Sequence, residues 1–179
     1  MNSKIFTPRF LFVTSAIVLA AVSRLLPHIP NFTPIAAMSL FGGAYFTDKK
    51  LAFIIPFLAM CLSDGAMEII NATGRHNTVV YVYAGFALTS VIGLIIRKNI
   101  SIISIVGGSI LSSILFFLIT NFGVWAEYGS QPNALGLGAT YIMGIPFFAP
   151  TLVGDLFYSG VLFGAFYFAQ RRLPALVRP

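Results

Sequence analysis

The chain has 179 residues, of which 58% are hydrophobic and only 9% charged, with a mean hydropathy of +0.90. Soluble domains carry about 25% charged residues, so this composition excludes an ordinary soluble fold and fits one all-α integral membrane domain over residues 1–179. A net charge of +6 does not indicate nucleic acid, because the basic residues lie between apolar segments and form no aromatic-interleaved cluster.

In chain order, Met1–Arg9 is a short basic leader carrying Lys4 and Arg9. Phe10–Leu26 follows as a first apolar segment, about long enough to span at roughly 1.5 Å per residue. A signal peptide is the competing reading. No A-x-A site closes the segment and further apolar segments follow it, so a retained first helix is expected. Ala16 and Ala20 form a small-xxx-small pair suited to close helix approach. Pro27–Pro34 is a rigid loop in which Thr33 is placed to cap the next helix and Pro34 to open it. That second helix, over Ile35–Phe46, is short for a span and contains Gly42-Gly43, which predicts a partly buried, tilted or broken element.

Asp48-Lys49-Lys50 makes a charged turn before a third helix over Leu51–Ile70, which holds Pro56 and the single cysteine, Cys61. One cysteine permits no intrachain disulfide and supplies no metal-ligand spacing. A polar loop with Arg75 and His76 leads to a fourth helix, Val79–Ile96, opened by Tyr81 and Tyr83 at interfacial depth. A fifth follows over Ile100–Phe122, with Gly107-Gly108 and serines 109, 112 and 113. Gly123–Gly144 reads as a long Gly-rich connection holding Glu127, Tyr128, Gln131 and Asn133; loops of that length are disproportionately functional. The sixth helix is expected over Ile145–Ala169, disturbed at its start by Pro146 and Pro150 and carrying Asp155 and Gly160-xxx-Gly164. Arg171, Arg172 and Arg178 end the chain.

Topology follows from the 11 basic residues. With the N-terminus in the cytoplasm, six helices leave only Arg24 and Arg75 on or near the outer side, so the positive-inside rule predicts six spans with both ends cytoplasmic.

The chain has five acidic residues, and their placement carries the functional reading. Asp64, Glu68 and Asn71 stand at i, i+4 and i+7 and share one helix face. A carboxyl at membrane depth is costly and usually faces a bundle interior or a wet cavity beside a partner. The predicted topology brings Arg24 and His28, Asp64, Glu68 and Asn71, then Asn121 and Trp125, and finally Asp155 to one leaflet. With Tyr81 and the aromatics Phe32, Tyr128, Tyr141 and Phe148, they outline an outward-opening pocket for a small solute. An internal salt bridge that only locks helix packing is the alternative. Catalysis has little support: no nucleophile–base–orienter set accompanies the acids, and His28 with His76 lacks a metal-site spacing. Neither a P-loop nor a dinucleotide fingerprint is present, so no cofactor is expected.

Six predicted helices in under 200 residues, the Ala16-xxx-Ala20 pair and the outward pocket resemble the substrate-binding S component of energy-coupling-factor (ECF) transporters. The strings Leu26-Pro27-His28-Ile29-Pro30-Asn31-Phe32-Thr33-Pro34-Ile35, Asn121-Phe122-Gly123-Val124-Trp125 and Gly154-Asp155-Leu156 are similar to an S-component-like bacterial membrane family. The resemblance implies a protein of the bacterial cytoplasmic membrane that captures a micronutrient, such as cobalamin or another vitamin-like solute, without being an enzyme. It also implies a coupling contact at Ala16 and Ala20 with a transmembrane subunit driven by two ATPases. It transfers no substrate residue. Two readings from other classes stay open: a small membrane enzyme using Asp64, Glu68 and Asp155, and an accessory or assembly subunit.

Overall fold

A computed structural model describes residues 6–71, 78–131 and 134–177. Lys4, Arg75, His76, Asn133, Arg178 and the side chain of Asn71 lie outside the described residues. The described chain is all helical: α1 (Pro8–Ser23), α2 (Ile35–Tyr45), α3 (Lys49–Asn71), α4 (Val79–Ile96), α5 (Ile102–Tyr128) and α6 (Leu137–Arg172), closed by a 3-10 turn over Pro174–Leu176. Four of these, α3 to α6, are long and apolar enough to cross a membrane, as in a multi-pass membrane protein. The exterior agrees with a lipid surround: Leu19 is 69% exposed, Leu62 74% and Ile103 85%, a liability in water.

The centre of the bundle is α2. With 11 residues it is only about 16 Å long, and Ala36 to Tyr45 are all buried. It touches each of the other five helices. A helix apolar all round belongs in an interior, and here neighbours cover every side. Of the expected partly buried, tilted or broken element, the structure shows an unbroken and buried helix, and its glycine pair admits two of those neighbours. A Cβ on Gly42 would stand 2.6 Å from the Pro56 ring of α3, and one on Gly43 would stand 2.8 Å from the Gly93 Cα of α4. At the same crossing the Ser39 hydroxyl donates to the Phe86 carbonyl at 2.8 Å and pairs with the Ser90 hydroxyl at 2.5 Å.

Helix ends shift by up to three residues from the sequence reading in α1, α2 and α3, and two departures matter more. The stretch 123–144 is mostly helical among the described residues: α5 continues to Tyr128 and α6 begins at Leu137, so the expected connection over Gly123–Gly144 is far shorter. Glycines and prolines argue against helix in water, yet buried or lipid-facing backbone retains its internal hydrogen bonds wherever it can. Pro146 and Pro150 accordingly lie inside α6. The second departure concerns the start of α2. Its N-cap position is Pro34 and no local side chain caps it, so the expected Thr33 cap is absent.

Ala20 is buried and Ala16 packs against the same apolar core, together with Val13, Ile17 and Phe166. The small-residue pair thus serves close packing within this chain. The outward side of α1 carries Leu11, Val18, Leu19 and Val22.

Candidate functional site

The predicted polar residues occupy three separate places. The first is an ion-paired cluster joining α1, α3 and α4. Arg24 follows the last turn of α1, where a cation suits the helix C-terminus, and it is 7% exposed. Its Nη2 lies 2.7 Å from Asp64 Oδ1, Nη1 donates to the Ser63 hydroxyl, and the Met60 sulfur stands 3.1 Å away. Tyr83 donates its phenol proton to Asp64 Oδ2 at 2.9 Å. Both carboxyl oxygens of Asp64 therefore have partners. Glu68, one turn further along α3, is half-buried and also interacts within the chain.

The second place is the N-terminus of α2. Asp155 of α6 is 1% exposed, and it accepts hydrogen bonds from the backbone amides of Ala36 and Ala37 and, at 2.7 Å, from the Ser113 hydroxyl. A helix start leaves its first amides without intrahelical partners and carries partial positive charge. An acidic side chain from another helix meets both needs, standing in for the missing local cap. Gly154 permits the approach, since a Cβ there would lie 3.1 Å from the Phe32 Cα and the Thr33 amide nitrogen of the preceding loop.

The third place is an open cavity of about 510 Å³ between the C-terminal end of α5 and the N-terminal end of α6. Asn121, Trp125, Tyr128, Gln131, Thr140 and Phe147 contribute its polar and aromatic wall, and among the described residues no ionisable acid or base lines it apart from the Tyr128 phenol. Asn121 is oriented by donating its amide to the Phe117 carbonyl at 2.8 Å. Gly144 of α6 lies directly against that side chain, leaving no room for a Cβ. Trp125 is flanked by Phe122, with 5.6 Å between ring centroids. Tyr81 of α4 stays outside the cavity and seats its ring on Gly123 of α5, supporting the wall from behind.

Of the expected pocket, Asn121, Trp125 and Tyr128 come together. Arg24 and Asp64 pair elsewhere, Asp155 is enclosed, and Phe32 stacks on Phe157 and Tyr158 at 5.6 and 5.7 Å. Tyr141 donates to the Leu118 carbonyl at 2.7 Å, and Phe148 packs on Phe117. His28 is exposed, its Nδ1 2.7 Å from the Leu26 carbonyl. Among the described residues no three His, Cys, Asp or Glu side chains gather as a metal site. Residues the sequence reading left out include Ser63, Thr140, Met143 and Phe147, and it assigned Ser113 only to packing. Their signal is weak, because Ser, Thr, Met and Phe are ordinary constituents of transmembrane helices.

No curated protein and no solved structure matches this sequence. One family does, over residues 4–176, which takes in every element just described, and the chain accordingly belongs to the family of unknown function DUF6580.

Proposed function

We propose that this protein is a multi-pass membrane protein that binds a small solute, in the manner of the ECF S components it resembles. The supporting observation is the α5–α6 cavity, whose volume of about 510 Å³ falls within the usual ligand-site range of roughly 300–1,000 Å³. Its wall combines aromatic faces with amide and hydroxyl groups, which suits a vitamin-sized solute. The volume favours a ligand smaller than a corrinoid.

In this proposal all six helices cross or enter the membrane with both termini cytoplasmic, so the cavity opens outward and Arg9, Lys49, Lys50, Arg97, Lys98, Arg171 and Arg172 face inward. A coupling subunit with two ATPases is the partner set that the resemblance adds. The resemblance places that contact at Ala16 and Ala20, of which Ala20 is buried against the chain's own core and Ala16 is only partly covered by it. Arg24, Asp64 and Asp155 act in packing in this reading, since protein groups pair both Arg24 Nη atoms, both Asp64 oxygens and the Asp155 carboxyl.

The test is native mass spectrometry of protein purified in mild detergent, followed by thermal-shift assays against a vitamin panel. The expected result is a stoichiometric solute that Trp125→Ala and Asn121→Leu release while the fold persists. An empty protein that no panel member stabilises would sink the binding reading and favour an accessory role.

A further inference from the structure

The two helices of the α5–α6 cavity line it with the same spacing. Asn121, Trp125 and Tyr128 stand at i, i+4 and i+7 along α5, and Thr140, Gly144 and Phe147 do so along α6, one face of each helix. Glu127, the one charged residue of α5, falls outside that face and outside the wall. On α6 the first charged residue is Asp155, about two turns beyond Phe147 and engaged at the start of α2. Residues 129–136, which join the helices, include no ionisable side chain. Among the described residues the cavity therefore meets no carboxylate, ammonium, guanidinium or imidazole.

Neutral polar atoms of the wall are left without partners. Asn121 donates its Nδ2 to the Phe117 carbonyl at 2.8 Å, which fixes the orientation of the amide and sets Oδ1 against Gly144 of the facing helix. That oxygen accepts nothing among the described residues. Trp125 offers the opposite function. Its indole N–H is a donor only, finds no acceptor among the described residues, and lies beside Gly129, where a Cβ would stand 3.0 Å from Nε1. Glycine at 129 thus keeps the indole edge uncovered. A fixed acceptor and a fixed donor stand one helical turn apart, and each helix adds an aromatic face, Trp125 and Phe147.

We propose that the solute is an uncharged, flat heteroaromatic compound whose edge carries both a hydrogen-bond donor and an acceptor. The inference rests on the solute-binding reading above and narrows it to a chemical class. A carboxylate or ammonium taken into this cavity would lose hydration with no counter-ion to replace it. An aliphatic solute would leave the two aromatic faces without a stacking partner. A ring without a polar edge would leave the indole N–H and the amide oxygen unpaired.

The experiment titrates purified full-length protein in mild detergent at neutral pH with matched probes. Pterin is set against pterin-6-carboxylate, and nicotinamide against nicotinate and 1-methylnicotinamide, with the saturated lactam 2-piperidone as the non-aromatic control. Trp125 is the only tryptophan, so quenching of its fluorescence places a probe in this cavity, and native mass spectrometry gives stoichiometry and affinity. The neutral member of at least one set is expected to bind about tenfold or more tightly than its charged counterparts, and 2-piperidone is expected not to bind. Trp125→Phe keeps an aromatic face without the N–H and should weaken the neutral probe about two- to tenfold. Gln131→Lys, at an exposed position of the wall, supplies a counter-charge and should shrink the preference for pterin over pterin-6-carboxylate several-fold. Charged probes that bind as well as neutral ones overturn the inference and leave the solute-binding reading standing. An unchanged ratio in Gln131→Lys, or undiminished binding of the neutral probe in Trp125→Phe, overturns it too. If none of the probes binds, the inference falls, and the solute-binding reading falls with it only if the vitamin panel is silent as well.

Discussion

Replacing Asp155 tests whether a carboxyl from α6 holds the start of α2. In Asp155→Ala the amides of Ala36 and Ala37 lose their acceptor at a place where Asp155 itself was only 1% exposed, so water cannot readily substitute. Each orphaned buried donor costs about 1–3 kcal/mol, and the lost interaction with the helix dipole adds roughly 0.3–2 kcal/mol. Ser113 contributes less, because its hydroxyl also has the Ser109 carbonyl within 3.1 Å. The total is about 2–8 kcal/mol, which at about 2–4 °C per kcal/mol for a chain of this size lowers the melting temperature by about 5–30 °C. Asp155→Asn keeps one acceptor oxygen and turns an amide donor towards the remaining N–H groups, so it should lose about half as much. The assay is thermal unfolding in detergent followed by size-exclusion fluorescence of Trp125. A melting temperature for Asp155→Ala within about 2 °C of wild type would refute the capping argument. A variant that stays stable but loses its bound solute would move Asp155 into the binding site.

Gly93→Ala should cost about 1–3 kcal/mol by overpacking the α2–α4 crossing, where the added carbon would lie 2.8 Å from the Gly43 Cα; Gly107→Ala, beside open space, is the control and should stay within about 0.5 kcal/mol, both read by thermal unfolding. Arg24→Leu should destabilise by about 3–5 kcal/mol because it strands a partly buried carboxyl, and adding Asp64→Asn should restore part of that loss in a double-mutant cycle. Purely additive losses would show that the 2.7 Å pair has no energetic coupling. Tyr83→Phe removes one hydrogen bond to Asp64 and should cost about 1 kcal/mol. For topology, membrane-impermeant thiol reagents on a Cys61→Ser background should label Ser130→Cys from outside the cell and Lys98→Cys only after lysis; the reverse pattern would invert the proposed orientation.

The helices were legible in the sequence because apolar runs bounded by Lys49-Lys50, Arg97-Lys98 and Pro27–Pro34 announce themselves by length and punctuation. Val79–Ile96 has the same limits in the sequence reading and the structure. What a local reading could not weigh is context. Gly136, Gly138, Pro146 and Pro150 all speak for loop, but their backbone is helical or adjoins helix in the structure. The site was legible only in part. Asn121 and Trp125 are one turn apart on α5 and reach the same cavity, as their spacing allows. Asp155 looked like a pocket acid because an isolated carboxyl in an apolar segment carries no mark of its partner. That partner is the backbone of Ala36 and Ala37, and no side-chain pattern advertises a backbone amide. Arg24 and Asp64 were placed at the same end, and the missing element was Tyr83, whose phenol reads from sequence as an interfacial anchor.

The enclosure of α2 has a consequence for the order in which the protein can be assembled. Its 11 residues are too few to cross a hydrocarbon layer of about 30 Å, and its first amides take their acceptor from α6, four helices later in the chain. Until α6 is inserted, those amides lack Asp155 and the helix lacks part of its surrounding wall. The nascent chain must therefore hold α2 in a provisional setting, at the interface or within the insertion machinery, and complete it only when α6 has been made. Truncations that remove α6 should for this reason damage α2, far earlier in the chain, and not merely the contacts next to the cut.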